Sequence, residues 1–423
     1  MANISEPHRW PLAPGGHWSA APGGRMPVPP GAGRLQNRTQ QSEAVQSGNV
    51  SAYMDWRGDI PFSVDPFNEV DNLLLSLFSY ADLEGVAYEG EEITLDDACR
   101  RYFSIHTREE IMARTSYVKM VPFLMEKASG LRRYAGIRLH HYVNVINADA
   151  TEQMSAVTFD LEDGTSYVAY RGTDGSIVGW REDFNLAWLR QSSGQKHAVE
   201  YLNQAGEVSG RDLRVGGHSK GGNFAVYAAA FCDESVRDRI LEVYTNDGPG
   251  FIREVAQSDQ MSSIQPKIRS IVPDESLFGL LMYGQYGHEV ITSSARGVLQ
   301  HDAQTWQILG NHFVRAEGLR GSSVLLNRIL TDWIEDVEID KRRQFVDSLF
   351  DVLETPGVDT FAKLRENKAR NLAELMKTAR GMDKERRDEF FEVLSVLVKN
   401  SRNTLSEELK KGMGENRKPL DGS

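Results

Sequence analysis

The spacing of the apolar positions changes along the chain, and each change indicates a different kind of structure. A helix is predicted over residues 65–80, with Asp65 as its N-cap, because one apolar stripe runs along it, made of Val70, Leu73, Leu74, Leu77 and Phe78. Residues 93–129 have the same helical character. From about residue 136 short apolar runs alternate with helical segments, and after residue 323 charged helices follow.

In the middle of the chain, strand-like runs alternate with helical ones. The strands are predicted at residues 157–161, 166–171, 212–216, 240–245, 267–272 and 289–293. Asp163 and Gly164 indicate a hairpin between the first two strands. Helices are predicted over residues 195–208 and 222–231. Such alternation is typical of a largely parallel sheet with helices on both faces, so the predicted fold class is α/β.

The two ends of the chain differ from the middle in composition. Seven of the 15 prolines lie within the first 30 residues, and such a segment buries too little apolar surface to offset its ordering entropy. We therefore expect a disordered tail over residues 1–50 and an α/β domain with an N-terminal helical piece over residues 51–322. A charged helical region is expected over residues 323–423.

The charge and the cysteine count narrow the function classes. The 423 residues include 48 Lys+Arg and 60 Asp+Glu, and the net charge of -12 argues against a nucleic-acid partner. Cys99 and Cys232 are too few for a disulfide scaffold or a cysteine-rich zinc site, and they fit a reducing compartment. No apolar run approaches the roughly 20 residues of a membrane-spanning helix. No secretory leader is visible, so a cytoplasmic location is expected.

The strongest chemical signal is a G-x-S-x-G motif formed by Gly217, Ser219 and Gly221. A predicted strand precedes the motif and an alanine-rich helix follows it, which is the context in which this motif holds a nucleophilic serine. The serine would lie at a sharp turn with its hydroxyl over the sheet, and the glycines would leave room for neighbouring backbone. Ser219 is therefore the predicted nucleophile, with a structural Gly-Ser turn as the alternative. No metal-binding or cofactor-binding motif accompanies it.

Further motifs surround Ser219 in a definite chain order. They are Arg171-Gly172-Thr173 at a strand end, then Trp180, Asp183 and Asn185 in a W-x-x-D-x-N pattern, and finally Gln300-His301-Asp302 with Trp306. This order resembles the class 3 (triacylglycerol) lipase branch of the α/β-hydrolases, and within it the bacterial Mbeg-like hydrolase family. The resemblance covers about residues 50–320.

The resemblance implies an α/β-hydrolase core that cleaves carboxylic esters through a Ser-Asp-His triad and a covalent acyl-enzyme, with no cofactor. In class 3 lipases the residue after Arg-Gly helps to form the oxyanion hole, and the matching residue here is Thr173. The second implied donor is the backbone N–H of Lys220, directly after the nucleophile. A plain β-turn closed by Arg171 and Thr173 is the alternative.

A catalytic serine needs a base, which follows it in the chain of α/β-hydrolases. His288, His301 and His312 are the candidates. His301 lies beyond the C-terminal end of the predicted strand 289–293, on the sheet edge shared with Ser219, whereas His288 lies at the other end. The resemblance also points to His301, which is the predicted base. His218 is expected to support the site.

Two aspartates compete for the role of the acid that orients the histidine. Asp274 and Asp247 each follow a predicted strand. Asp274 resembles the triad acid of class 3 lipases, whereas the family pattern has a structural Gly-Pro turn at the position of Asp247. Asp274 is therefore preferred, and Asp247 stays open as the competitor.

Lys220 occupies the position where true lipases usually carry leucine. Its side chain is expected at the mouth of the site. There it would either favour an anionic substrate head group or line a solvated rim.

The expected partner is a small-molecule or lipid ester, while contact with a membrane surface and the oligomeric state are left open. The same triad also serves thioesterases, acyltransferases and peptidases, so these activities are alternatives of the same chemical class. A non-catalytic α/β-hydrolase fold that acts as a binding module is the alternative from another class.

Overall fold

The computed structural model describes residues 47–353, with gaps at residues 115, 117, 148–151, 174–185, 187–188 and 285, together with residue 384. Trp180, Asp183 and Asn185 lie outside the described residues, as do most of the predicted tail and most of the C-terminal region. The division into residues 1–50, 51–322 and 323–423 stays a prediction.

Eight of the described strands form one sheet whose spatial order follows the chain. They are β1 (Glu92–Thr94), β2 (Arg138–Asn147), β3 (Glu152–Asp160), β4 (Ser166–Tyr170), β5 (Leu213–His218), β6 (Ile240–Asn246), β7 (Ile268–Pro273) and β8 (His288–Ile291). Strands β1 to β4 pair antiparallel, and β4 to β8 pair parallel. The predicted α/β class is confirmed, and the parallel half contains the G-x-S-x-G motif. A separate two-stranded sheet joins β9 (Ile308–Leu309) to β10 (His312–Phe313).

Helices pack on both faces of the sheet. The α-helices of the described residues are α1 (Val50–Arg57), α2 (Glu69–Phe78), α3 (Leu95–Ile105), α4 (Arg108–Ala113), α5 (Val121–Ser129), α6 (Ser193–Ser209), α7 (Lys220–Phe231), α8 (Glu234–Arg237), α9 (Arg253–Ala256), α10 (Asp259–Ile264), α11 (Gly321–Asp336) and α12 (Ile339–Leu353).

The side chains of β4 alternate between two apolar cores, because successive residues of a strand point to opposite faces. Tyr167 and Ala169 belong to the core that contains α2, α3 and α5. Val168 and Tyr170 belong to the core that contains α6 and α7. Apolar cores thereby cover both faces of the sheet, so we expect polar functional side chains at the ends of its strands.

The first predicted helices differ from the observed ones in their ends. Helix α2 begins at Glu69 and not near Asp65, because Asn68 and Asp71 form a capping box. Asp65 instead accepts a hydrogen bond from Arg57 at 2.8 Å. The predicted helical stretch 93–129 begins with the short strand β1 and is divided by the N-cap Thr107, which starts α4.

The two C-terminal helices of the described chain lie after the last strand. Before α11, Arg320 pairs with Asp274 at 2.8 Å, and within it Asn327 donates a hydrogen bond to the carbonyl of Leu280. Trp333 of α11 contacts Phe345 of α12, with ring centroids 5.7 Å apart. Neither these helices nor the others that the structure describes have the length and apolar character to cross a membrane.

Candidate active site

The turn between β5 and α7 consists of a single residue, Ser219. Its backbone has φ 59° and ψ −133°, a conformation that a residue with a Cβ adopts only when its surroundings enforce it. The N–H of Ser219 donates to the carbonyl of Asn246, and its own carbonyl accepts from Gly222, both at 2.9 Å. These bonds fix the strained turn at both ends.

The glycines of the motif are required by backbone contacts. A Cβ on Gly217 would lie 2.3 Å from the carbonyl carbon of Gly221, and a Cβ on Gly221 would lie 2.1 Å from the carbonyl oxygen of Tyr170. Strand β4, strand β5 and helix α7 therefore meet at a distance that only glycine permits. This packing places the Ser219 side chain at the C-terminal ends of the parallel strands, where sites of open α/β sheets lie.

His301 lies between a serine and an aspartate. Its Nε2 is 3.0 Å from Ser219 Oγ, and its Nδ1 is 2.7 Å from Asp247 Oδ2. Because a carboxylate only accepts hydrogen bonds, the neutral ring carries its proton on Nδ1, and Nε2 can accept a hydrogen bond from the serine hydroxyl. The ring of Phe278 packs on His301 with centroids 4.1 Å apart and restricts its rotation.

Asp247 is buried and is held by several donors. Its backbone φ is 51°, and its Oδ1 accepts hydrogen bonds from the Ser276 hydroxyl and from the N–H of Gly279. Burial alone would raise the pKa of the Asp247 carboxyl. The hydrogen bond from His301 and the other partners outweigh burial and hold that pKa below its ordinary value. The carboxylate is therefore ionised at neutral pH.

Asp274, the aspartate preferred from the sequence, is not brought to His301. Its Oδ1 accepts from Gln300 Nε2 at 2.9 Å, and its Oδ2 pairs with Arg320 Nε at 2.8 Å. The reason for this correction lies in the strand order. Asp247 follows β6, the neighbour of the strand that precedes Ser219, whereas Asp274 follows β7, one strand further away. The Asp274 carboxylate thus binds the side chain of Gln300, the residue before His301, whereas the His301 imidazole contacts Asp247.

Thr173 and Lys220 follow the ends of two neighbouring strands: Thr173 is the third residue after β4, and Lys220 comes directly after Ser219 as the first residue of α7. Gly172, the residue before Thr173, packs so closely that a Cβ on it would be 3.1 Å from Ser219 Cβ. Thr173 is buried at this strand end. Lys220 begins α7, so its N–H belongs to the first-turn amides, which point out of the helix and attract negative charge.

The side chain of Lys220 is not at the mouth of the site. Lys220 is 1% exposed, and its Nζ donates to the carbonyl oxygen of Gln153 on β3 at 3.1 Å and lies 3.3 Å from the Gln153 Oε1 atom. The same ammonium lies 5.5 Å from the ring centre of Phe224. The turn at Ser219 directs the side chain of the following residue back into the fold. The buried ammonium therefore neither binds a substrate head group nor lines a solvated rim, so both expected roles of Lys220 are wrong.

His218 is buried next to the serine and connects three parts of the site. Its Nδ1 is 2.9 Å from the Tyr80 hydroxyl, and its Nε2 is 2.8 Å from the carbonyl oxygen of His301. Burial, together with the nearby His301, lowers the pKa of His218 to about 3, so this ring is neutral. The sequence motif pointed to His218 as a supporting residue, but no spacing linked it to Tyr80, which lies 138 residues earlier.

Comparisons with known proteins give one family and several solved structures. A family model described as Mbeg1-like matches residues 128–351, which is more than half of the chain and includes Ser219, Asp247 and His301. The crystal structure of M37 lipase is 14% identical, with a TM-score of 0.28, over 41% of this chain and 70% of that one. The native Rhizomucor miehei lipase propeptide complex is 16% identical, with a TM-score of 0.32, over 59% of this chain and 78% of that one. Among curated proteins none matches the chain.

Proposed function

The chain belongs to the Mbeg1-like family, and we propose that it is a serine hydrolase that cleaves carboxylic esters through a covalent acyl-enzyme. The observation that carries the proposal is the line of hydrogen bonds from Ser219 Oγ through the His301 ring to Asp247, at 3.0 Å and 2.7 Å. Nucleophile, base and orienting acid at such distances are the arrangement that activates a serine hydroxyl at neutral pH.

The proposed reaction begins with attack of Ser219 Oγ on the acyl carbon of the ester. The hydroxyl proton passes to His301 Nε2, and the ionised Asp247 stabilises the imidazolium. The oxyanion of the tetrahedral intermediate receives hydrogen bonds from Thr173 and from the N–H of Lys220. The bond to the alcohol then breaks, and the departing oxygen takes the proton from His301. Water, activated by the same imidazole, hydrolyses the acyl-serine in the second half.

The electrostatic surroundings support this division of roles. Asp247 is the ionised group nearest to the Nδ1 side of His301, at 2.7 Å. The ring of His218 lies beside that of His301, tilted by 35° with ring centroids 4.7 Å apart, and is kept neutral by burial. A neutral neighbour does not oppose the positive charge that His301 acquires during the reaction.

The two alternatives differ in what they require of Ser219. A binding module needs the fold but not a serine within hydrogen-bonding distance of a histidine, so the observed line of contacts favours catalysis. Thioesters, peptides and acyl transfer use the same three groups. The substrate class is therefore decided by a substrate series and not by the triad.

The test is a series of p-nitrophenyl esters from acetate to palmitate, an acyl thioester and a peptide amide. We expect saturable ester hydrolysis that falls on the order of a thousandfold or more in kcat/KM in Ser219→Ala. The matched control is Ser262→Ala, since Ser262 lies on α10 and its hydroxyl donates to the carbonyl of Ser258, the N-cap of that helix. The proposal would be rejected if wild type and Ser219→Ala hydrolysed the esters equally well, or if folded wild-type protein hydrolysed none of these substrates.

A further inference from the structure

His218, the residue before Ser219, is hydrogen-bonded to the backbone of His301. His218 ends β5, and its Nε2 lies 2.8 Å from the carbonyl oxygen of His301. A carbonyl oxygen only accepts hydrogen bonds, so Nε2 of His218 must carry the proton. The strand that positions Ser219 therefore also holds the main chain of His301.

Tyr80 is hydrogen-bonded to the other ring nitrogen of His218. With the proton on Nε2, the Nδ1 atom is an acceptor, and the Tyr80 hydroxyl donates to it at 2.9 Å. The opposite tautomer would leave the His301 carbonyl without a donor, although the Tyr80 hydroxyl could then accept from Nδ1–H and donate to the His218 carbonyl at 3.3 Å. The His301 carbonyl thus sets the tautomer of His218, and the Tyr80 hydroxyl holds the ring at its other nitrogen.

The turn that carries His301 is bonded to the rest of the fold at Gln300 and at His301 and is exposed on its outer side. His301 is the last residue of the 3-10 turn Gly297–His301, whose first residue has φ 57°. On the outer side of this turn Val298 is 58% and Leu299 65% exposed, so packing there is weak. The hydrogen bond from His218 Nε2 to the His301 carbonyl, together with the contact between the two rings at 4.7 Å, restrains the turn at His301 itself.

We propose that His218 and Tyr80 are positioning residues, which keep His301 Nε2 at reacting distance from Ser219 by holding the His301 main chain. The inference rests on the proposed function only in calling His301 the base. The two hydrogen bonds that link Tyr80 to His218 and His218 to His301, called the relay below, do not depend on that function. Misplacement of a reacting group by about 1 Å costs on the order of a hundredfold in rate. Loss of the relay should therefore lower kcat and leave KM nearly unchanged.

The kinetic test compares His218→Leu with His218→Gln, since the glutamine amide N–H reaches about as far as Nε2 and the leucine has no donor. We expect a loss of about 30- to 100-fold in kcat for leucine, with KM within about twofold, and recovery to within about fivefold of wild type for glutamine. Tyr80→Phe should lose about tenfold. Its matched control, Tyr88→Phe, removes the hydroxyl of an exposed residue that donates to the carbonyl of Gly85 three positions earlier, and should not change kcat.

A spectroscopic readout separates this inference from the proposed function. The His301 Nδ1 proton, shared with Asp247, should give a sharp downfield NMR resonance that is assigned by its loss in His301→Gln. We expect it to broaden in folded His218→Leu and to persist in His218→Gln, whether or not any ester is turned over. A resonance that persists in folded His218→Leu, or disappears equally in His218→Gln, overturns the inference. If His218→Leu does not fold, Tyr80→Phe decides, because a resonance as sharp as in Tyr88→Phe then contradicts the relay.

Discussion

Asp247 Oδ2 lies 2.7 Å from His301 Nδ1, although the two residues are 54 positions apart in the chain. Asp247 reaches this position because its backbone turns with φ 51° directly after β6. The Ser276 hydroxyl and the N–H of Gly279 hold its other oxygen. With one oxygen fixed by the loop, the second is directed at the imidazole, as orientation of a catalytic histidine requires.

Asp247→Asn should lower kcat/KM by about a thousandfold to ten-thousandfold, because an amide cannot hold the imidazole in the tautomer that accepts the serine proton. Asp274→Asn is the matched comparison, since it removes a carboxylate of the neighbouring strand end that pairs with Arg320. We expect its loss to stay below about tenfold. Steady-state kinetics on one ester measures both variants, and an equal loss in the two would refute the assignment of Asp247.

The buried neutral His218 predicts a pH dependence of stability. Its pKa is about 3 in the folded protein, against about 6.5 in an unfolded chain, so the unfolded state binds more protons between these values. The contribution of His218 to the free energy of unfolding is therefore fully present above about pH 6.5 and is lost as the pH falls towards 3. Denaturant unfolding from pH 7 to pH 4 should show a steeper decline for wild type than for His218→Gln, by up to about 1.4 kcal/mol per pH unit. Parallel curves would show that the ring is not buried in its neutral form.

Gly221→Ala should destabilise the fold, because its Cβ would lie 2.1 Å from the carbonyl oxygen of Tyr170, which is backbone and cannot move aside. We expect a loss of about 2–4 kcal/mol in the free energy of unfolding. Gly318→Ala is the control, since the Cβ it would gain has no heavy atom of the described residues within 4 Å apart from its chain neighbours. Denaturant titrations of both variants measure the difference. A Gly221→Ala protein as stable as Gly318→Ala would mean that the strand and the helix are less closely packed than described.

The buried position of Lys220 predicts that its side chain has no part in substrate selection. Lys220→Met keeps the stem in its apolar surroundings and the backbone N–H in place, but it removes the ammonium that donates to Gln153. The ratio of kcat/KM for an ester with an anionic acyl terminus to that for its neutral counterpart should stay within about twofold of wild type. A selective loss of the anionic ester would mean that the ammonium does reach the substrate.

The nucleophile turn could be predicted from the sequence because its constraints are local. Gly217, Ser219 and Gly221 follow one another, and the strand and the helix that hold them are contiguous with the motif. The parallel sheet was predictable for a similar reason, since each strand and the helix after it are read from their own apolar spacing.

The acid and the direction of the Lys220 side chain depend on tertiary structure. Asp247 and Asp274 both follow strands, and only the order of β5, β6 and β7 in space decides which lies opposite His301. Lys220 is turned inwards by the positive φ of Ser219, a feature that residue types alone do not specify. The contact between Tyr80 and His218 joins residues 138 positions apart and has no signal in spacing or composition.

The most direct test of the central claim is labelling of the folded protein with a fluorophosphonate, followed by mass spectrometry of its peptides. We expect one adduct per chain, on Ser219, that is absent from Ser219→Ala and strongly slowed in His301→Gln and Asp247→Asn. Ser262→Ala should be labelled like wild type. Folded wild-type protein that stays unlabelled, or labelling that proceeds equally in Ser219→Ala, would contradict an activated serine at this site.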